Sequence, residues 1–166
     1  MENAWLSFTV VALSQLILFV AYILYTKRLS DVSSVLLKAI PMGIVIGLLS
    51  DLLFGQLLGL WSYTLGFSAF SLFMASVFIY GLFAANILLI QRAPFGNFFI
   101  WTMVTLVIYE STNYFFRTWT YQLPLPDLGL PLFLAAGYLG TAVFMAIVWH
   151  KFFDIRFHFI DTLLKK

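Results

Sequence analysis

Five stretches of the chain are apolar for about twenty residues each, separated by short polar connections. The first, 4–26, is uncharged; the second, 39–60, holds one aspartate; the third, 69–90, is strongly polar only at Ser71, Ser76 and Asn86. The fourth, 97–117, contains Glu110 and Asn113, and the fifth, 132–150, runs into a basic, aromatic tail. A helix of about 20 apolar residues crosses a hydrocarbon core of about 30 Å, so the pattern predicts an all-α membrane bundle of five transmembrane helices. The breaks agree with it. KRLSDVSSVLLK is a polar connection, WSYTLGFS a short aromatic turn suited to the interface, and QRAPFG a turn by its Pro and Gly. Residues 118–131 carry Pro124, Pro126 and Pro131 and are not helical throughout.

Within the second stretch Gly43, Gly47, Asp51, Gly55 and Gly59 recur every four residues. Such spacing gives one helix ridge that is small along its length, lets another helix approach closely, and carries a carboxyl at its centre. The first stretch follows Glu2 rather than Lys or Arg, and no Ala-x-Ala-like site ends it, so it reads as a retained helix and not a cleaved signal peptide. Residues 1–150 then form one transmembrane domain and 151–166 a tail. In the tail, Asp154, His158, Asp161, Thr162 and Lys165 fall on one helical stripe opposite Phe152, Ile155, Phe159 and Leu163, the pattern of an interfacial helix. Residues 153–159 also alternate as a strand would, but the helix continues the fifth span without a breaker and is the expectation adopted.

Composition supports this class. The 166 residues are 63% hydrophobic and 10% charged, against about 25% charge in soluble domains. A net charge of +2 without a Lys/Arg cluster excludes nucleic acid as a partner. The absence of cysteine excludes disulfides and thiol chemistry. Five spans place Lys27, Arg28, Lys38, Arg92, Lys151, Arg156, Lys165 and Lys166 on one side and Arg117 alone on the other. By the positive-inside rule the protein sits in the cell membrane with its N-terminus outside and its C-terminus in the cytoplasm.

Asp51 and Glu110 are the candidate reactive groups, the only carboxyls within apolar spans. Ionisable groups in a membrane mark functional sites by default. Asp51 lies about nine residues, and Glu110 about seven, before the outer end of its span, so both sit in the outward half, where they face one another if their helices pack. Glu110, Asn113 and Arg117 share a helix face, with Arg117 either a counter-ion or snorkelling outward. Gln56, Trp61, Tyr63, Ser76, Tyr80, Tyr121 and Asp127 are placed to line the same cavity. The same carboxyls also suit a purely structural role as interhelical hydrogen-bond partners. His150, Asp154 and His158 follow helical spacing, but three ligands on one helix face cannot converge on an ion, so no metal is expected. No phosphate loop or dinucleotide fingerprint is present, and no cofactor is expected.

Two resemblances attach to these residues. Asp51, followed after about ten residues by Gly59-Leu60-Trp61-Ser62-Tyr63 and another apolar span, resembles the lycopene-cyclase-type membrane domains. Where that family carries an acidic Pro-x-Glu-Glu motif, this chain has Ala75-Ser76-Val77-Phe78-Ile79-Tyr80. The overall layout, with Glu110 and the ending Trp149-His150-Lys151-Phe152-Phe153, is similar to uncharacterised five-helix membrane proteins of spore-forming Gram-positive bacteria. The first resemblance implies chemistry on an isoprenoid; the second implies no activity.

The residues favour a small integral membrane protein with an outward-half polar cavity around Asp51, Glu110, Asn113 and Arg117. It would bind a lipid-phase ligand or a partner helix without catalysis. A membrane enzyme acting on an isoprenoid-like substrate, as a cyclase or isomerase with Asp51 or Glu110 as its acid, is the first alternative. A proton-coupled transporter is the second, and it needs a homo-oligomer, because five spans give no even inverted repeat and the halves show no evident similarity. Membrane lipids are expected partners in every case.

Overall fold

A computed structural model describes residues 2–64, 66, 68–123 and 129–164. Its elements are α1 (Glu2–Thr26), α2 (Val32–Ser50, prolonged as a π-helix over Asp51–Leu57), β1 (Trp61–Tyr63) and α3 (Ala69–Leu89). They continue with α4 (Phe95–Phe116), β2 (Trp119–Tyr121), α5 (Gly129–Phe152) and α6 (His158–Leu164). Four helical stretches, Leu6–Thr26, Leu29–Leu57, Ala69–Leu89 and Gly129–Phe152, are long and apolar enough to cross a membrane. The sequence pattern suggested five. The missing one is α4: it has 22 residues, but Asn97, Thr102, Thr105, Glu110, Ser111, Thr112 and Asn113 dilute its apolar content. The fold is therefore an all-α membrane bundle of six helices with four apolar spans among the described residues.

Local chemistry accounts for the boundaries. Ser68 and Ser71 form a reciprocal capping box at the start of α3, each hydroxyl accepting from the other's backbone N–H at 3.1 and 2.9 Å. Lys27, Arg117 and Asp154 take left-handed backbone (φ 54°, 49° and 51°) just after α1, α4 and α5, which turns the chain out of each helix.

The centre of the bundle is α3, which packs against α1, α2 and α5. All eight residues Leu82–Leu89 are buried. The glycine ridge of α2 makes this possible over its first half. A Cβ on Gly43 would overlap the Gly81 backbone, and one on Gly47 would overlap the Tyr80 ring. The ridge stops short of its predicted end, because Gly59 lies beyond the helix and has a φ of +64°. Helix α1 is fastened to α4 by polar contacts: Tyr22 Oη lies 2.7 Å from the Trp101 carbonyl and 2.8 Å from Thr105 Oγ1, and Ser7 Oγ donates to the Phe116 carbonyl at 2.6 Å. Where lipid removes the hydrophobic drive between helices, such bonds and close packing hold them together. Leu13, Ile17, Leu24, Leu52, Leu57, Phe144 and Ile147 are exposed, an apolar exterior that suits hydrocarbon.

The tail departs from the interfacial helix expected of it. The left-handed Asp154 ends α5, and the chain runs extended to Phe157 before α6 folds back under the bundle. Phe157 stacks on Trp149 (6.2 Å, 12°), and Phe159 packs on Phe98 at 4.5 Å. The alternation in 153–159 had a structural basis: Phe157 and Phe159 point inward, while Arg156 and His158 stay exposed. No strand forms there; the inward residues dock on helices.

Candidate functional site

Two short strands, β1 and β2, pair antiparallel across one end of the bundle, with Trp61 opposite Tyr121, Ser62 opposite Thr120, and Tyr63 opposite Trp119. Strand alternation puts all four aromatics on one face and Ser62 and Thr120 on the other, where their hydroxyls meet at 3.2 Å. The backbone continues the ladder symmetrically: the N–H of Thr64 donates to the Thr118 carbonyl and that of Gln122 to the Leu60 carbonyl, each at 2.9 Å. Thr64 Oγ1 adds a bond to the carbonyl of Arg117.

Behind the aromatic face stand Asp51 and Glu110, each in its own shell. Asp51, wholly buried, accepts the Tyr63 hydroxyl at 2.9 and 3.1 Å on its two oxygens, the Trp61 indole at 3.3 Å and the Tyr80 hydroxyl at 3.2 Å. Glu110 accepts the hydroxyls of Tyr121 at 2.8 Å and Tyr138 at 3.1 Å on Oε1. The Trp119 indole donates to Tyr121 at 2.8 Å, and Asn113 Oδ1 accepts the Trp119 backbone N–H at 2.9 Å. Burial first, and charge from neighbouring groups second, hold the Tyr63 and Tyr121 hydroxyls well above the ordinary phenol range. Both stay protonated and serve as donors.

These shells are two copies of one arrangement. Trp-x-Tyr follows Asp51 after ten residues and Glu110 after nine, and each motif tyrosine is followed 17 residues later by a second one, Tyr80 and Tyr138, which returns to the same acid. The units are α2–β1–α3 and α4–β2–α5, and the strand pair is their two-fold junction. This corrects the expectation that the halves are dissimilar. The signal is interrupted by one extra residue, which falls between Asp51 and the left-handed Gly59 (eight residues) as against Glu110 and the left-handed Arg117 (seven). That stretch of α2 winds as a π-helix, whose i→i+5 bonding takes up more residues per turn than an α-helix.

Under the strand pair lies a cavity of about 460 Å³. Of its eighteen lining residues ten are aromatic, among them Trp61, Tyr63, Tyr80, Trp119, Tyr121 and Tyr138. Phe83, Tyr109 and Tyr138 meet edge to face at 5.7–6.4 Å and build one wall. The Tyr109 hydroxyl is tied to the Ile79 carbonyl at 2.7 Å, inside the second π-helical segment, Ala75–Gly81. On α5, a Cβ at Gly137 or Gly140 would meet nothing within 4 Å, so these glycines leave that wall open.

Of the residues singled out from sequence, Trp61, Tyr63, Tyr80 and Tyr121 line the cavity, while Asp51 and Glu110 stand one layer behind it. The acids do not bond each other; each is engaged by its own tyrosines. Gln56 is exposed on the outer face of α2, and Ser76 is buried away from the cavity. Arg117 is not a counter-ion of Glu110: its left-handed backbone at the end of α4 leaves it exposed, and the described residues pair no cation with either acid. Asp127 lies outside the described residues. Trp119 and Tyr138 were missed by sequence reasoning, although the repeated Trp-x-Tyr and the 17-residue spacing would have found both. Among the described residues no group of three His, Cys, Asp or Glu side chains could hold a metal ion. No protein-family model matches the chain, and no curated protein or solved structure shows significant similarity to it, so the geometry alone carries the functional reading.

Proposed function

We propose that the chain is a five-span protein of the cell membrane, with α4 as the polar fifth span, and that its aromatic cavity binds an apolar ligand from the lipid phase without catalysis. The observation that carries this reading is the cavity wall, with ten aromatic residues among its eighteen, whose polar atoms include the hydroxyls of Tyr63, Tyr80, Tyr121 and Tyr138, held from behind by Asp51 and Glu110. A phenol that donates inward to a carboxylate turns acceptor lone pairs outward. The ligand therefore is largely hydrocarbon or aromatic and carries a hydroxyl or similar donor. In this reading the strand pair faces the outside and the Lys/Arg-rich end the cytoplasm.

The test is native mass spectrometry of the protein purified in mild detergent. A lipid-phase compound should be retained by the wild type and lost from Gly137→Leu, which fills the cavity from a wall with room for it. Retention at the wild-type level by both Gly137→Leu and the Asp51→Asn, Glu110→Gln double variant would sink the proposal.

The duplication favours a second reading, a proton-coupled transporter with its site at the interface between repeats. Proton-driven flux in proteoliposomes, abolished by Glu110→Gln, distinguishes it from simple binding.

A further inference from the structure

At the end of the bundle away from the strands lies a second cavity, of about 520 Å³, with no residue in common with the first. The connection after α1, the start of α2, the α3–α4 turn and the folded-back tail enclose it. Arg28, Lys38, Arg92 and Arg156 bring cations to its wall, and Asp154 and Asp161 bring carboxylates. We propose that this cavity is a binding site for a phosphate-bearing anion, supplied either as the headgroup of an acidic phospholipid or as a soluble phosphate.

Three features carry the assignment. First, Arg28 is already committed: its Nε bonds Asp31 at 2.8 Å and its Nη1 caps the Leu88 and Leu89 carbonyls at 2.9 and 3.3 Å. It therefore fixes the wall, its charge balanced by Asp31, and leaves an anion to the other three cations. Second, Lys38, Arg92 and Arg156 are exposed, and no carboxylate among the described residues lies within 4.0 Å of their charged nitrogens, Asp31 being bonded to Arg28 and only near Arg92. Of the two acids present, Asp161 lies 4.0 Å from the His150 ring. Three cations from three segments converge on one space, and arginine forks match phosphate oxygens in pairs. Third, the tail that supplies Arg156 is held in place: the His158 N–H donates to the Gln91 carbonyl at 2.9 Å, and Phe157 is fully buried. Val35, Leu88 and Ile155 give the cavity an apolar floor, which suits a headgroup still attached to its glycerol. Basic pockets between helix ends at a membrane face are suited to such headgroups.

The experiment measures thermal stability of the full chain in uncharged detergent while phosphatidylglycerol, phosphatidylcholine or sodium phosphate is added. Phosphatidylglycerol should stabilise the wild type and phosphatidylcholine should not. Arg92→Gln with Arg156→Gln should raise the half-saturating concentration by at least about tenfold without changing the midpoint in detergent alone. Lys27→Gln with Lys151→Gln removes the same charge at the same end outside the cavity, and should shift half-saturation by less than about twofold. Stabilisation by sodium phosphate that is lost in the arginine variant assigns a soluble anion; a response to phosphatidylglycerol alone assigns a lipid. Equal losses in the two double variants, equal responses to the two lipids, or no response to either anion would overturn the proposal.

Discussion

The shells around Asp51 and Glu110 use the same parts in the same order, yet they differ in how tightly each acid is enclosed. Asp51 takes a tyrosine from its own strand, one from the following helix and the strand's indole directly, and both its oxygens are used. Glu110 takes the two equivalent tyrosines on one oxygen, but its indole, Trp119, stops at Tyr121 and reaches the acid only through it. Glu110 is also half-buried where Asp51 is sealed. One additional residue and two π-helical segments, both in the first unit, separate the two copies. The comparison teaches that a repeated motif fixes which residues meet, while helix winding sets how closely the acid is surrounded.

The comparison breaks most readily at the acids. Asp51→Ala strands three buried donors and should cost about 2–4 kcal/mol, against roughly half of that for Glu110→Ala. Denaturant titration in micelles measures both, and equal losses would mean that the shells are energetically alike. Gly47→Leu, which drives a side chain into the Tyr80 ring, should cost about 2–3 kcal/mol. Gly137→Leu, on the second helix of the other unit, where a side chain meets nothing within 4 Å at its Cβ, should stay within about 0.5 kcal/mol of wild type in the same assay. Tyr63→Phe removes a hydroxyl shared between both Asp51 oxygens and should cost about 1–2 kcal/mol, with Tyr121→Phe nearer 1. The reverse order would place the tighter shell around Glu110. Replacing both Ser62 and Thr120 by Val alters only the outer face of the strand pair. Its thermal midpoint should correspond to less than about 0.5 kcal/mol, and a larger drop would show that the outer hydroxyl pair helps hold the two units together.

Much of this was legible in the sequence because it is local. Apolar run length located the helices, charge located the basic end, and the two acids were conspicuous for being in apolar spans. Gly43 and Gly47 announced a close helix approach that α3 indeed makes. What escaped was non-local or conformational. The strand pair joins residues 58 positions apart at its centre, Ser62 and Thr120, and three-residue strands carry almost no periodic signal. The left-handed backbone at Arg117 and Asp154 falls on residues that do not advertise it as glycine does. One of them decided between the two readings of Arg117, leaving it exposed and not a counter-ion, and the other turned a supposed surface helix back into the bundle.

Of the two helices outside the paired units, α1 and α6, the first has an architectural effect. It packs on α3 and α4 and contributes no residue to the aromatic cavity. Two paired units by themselves would have two equivalent flanks. With α1 laid along one of them, the molecule has a front and a back, and the covered flank is the one built by α3 and α4.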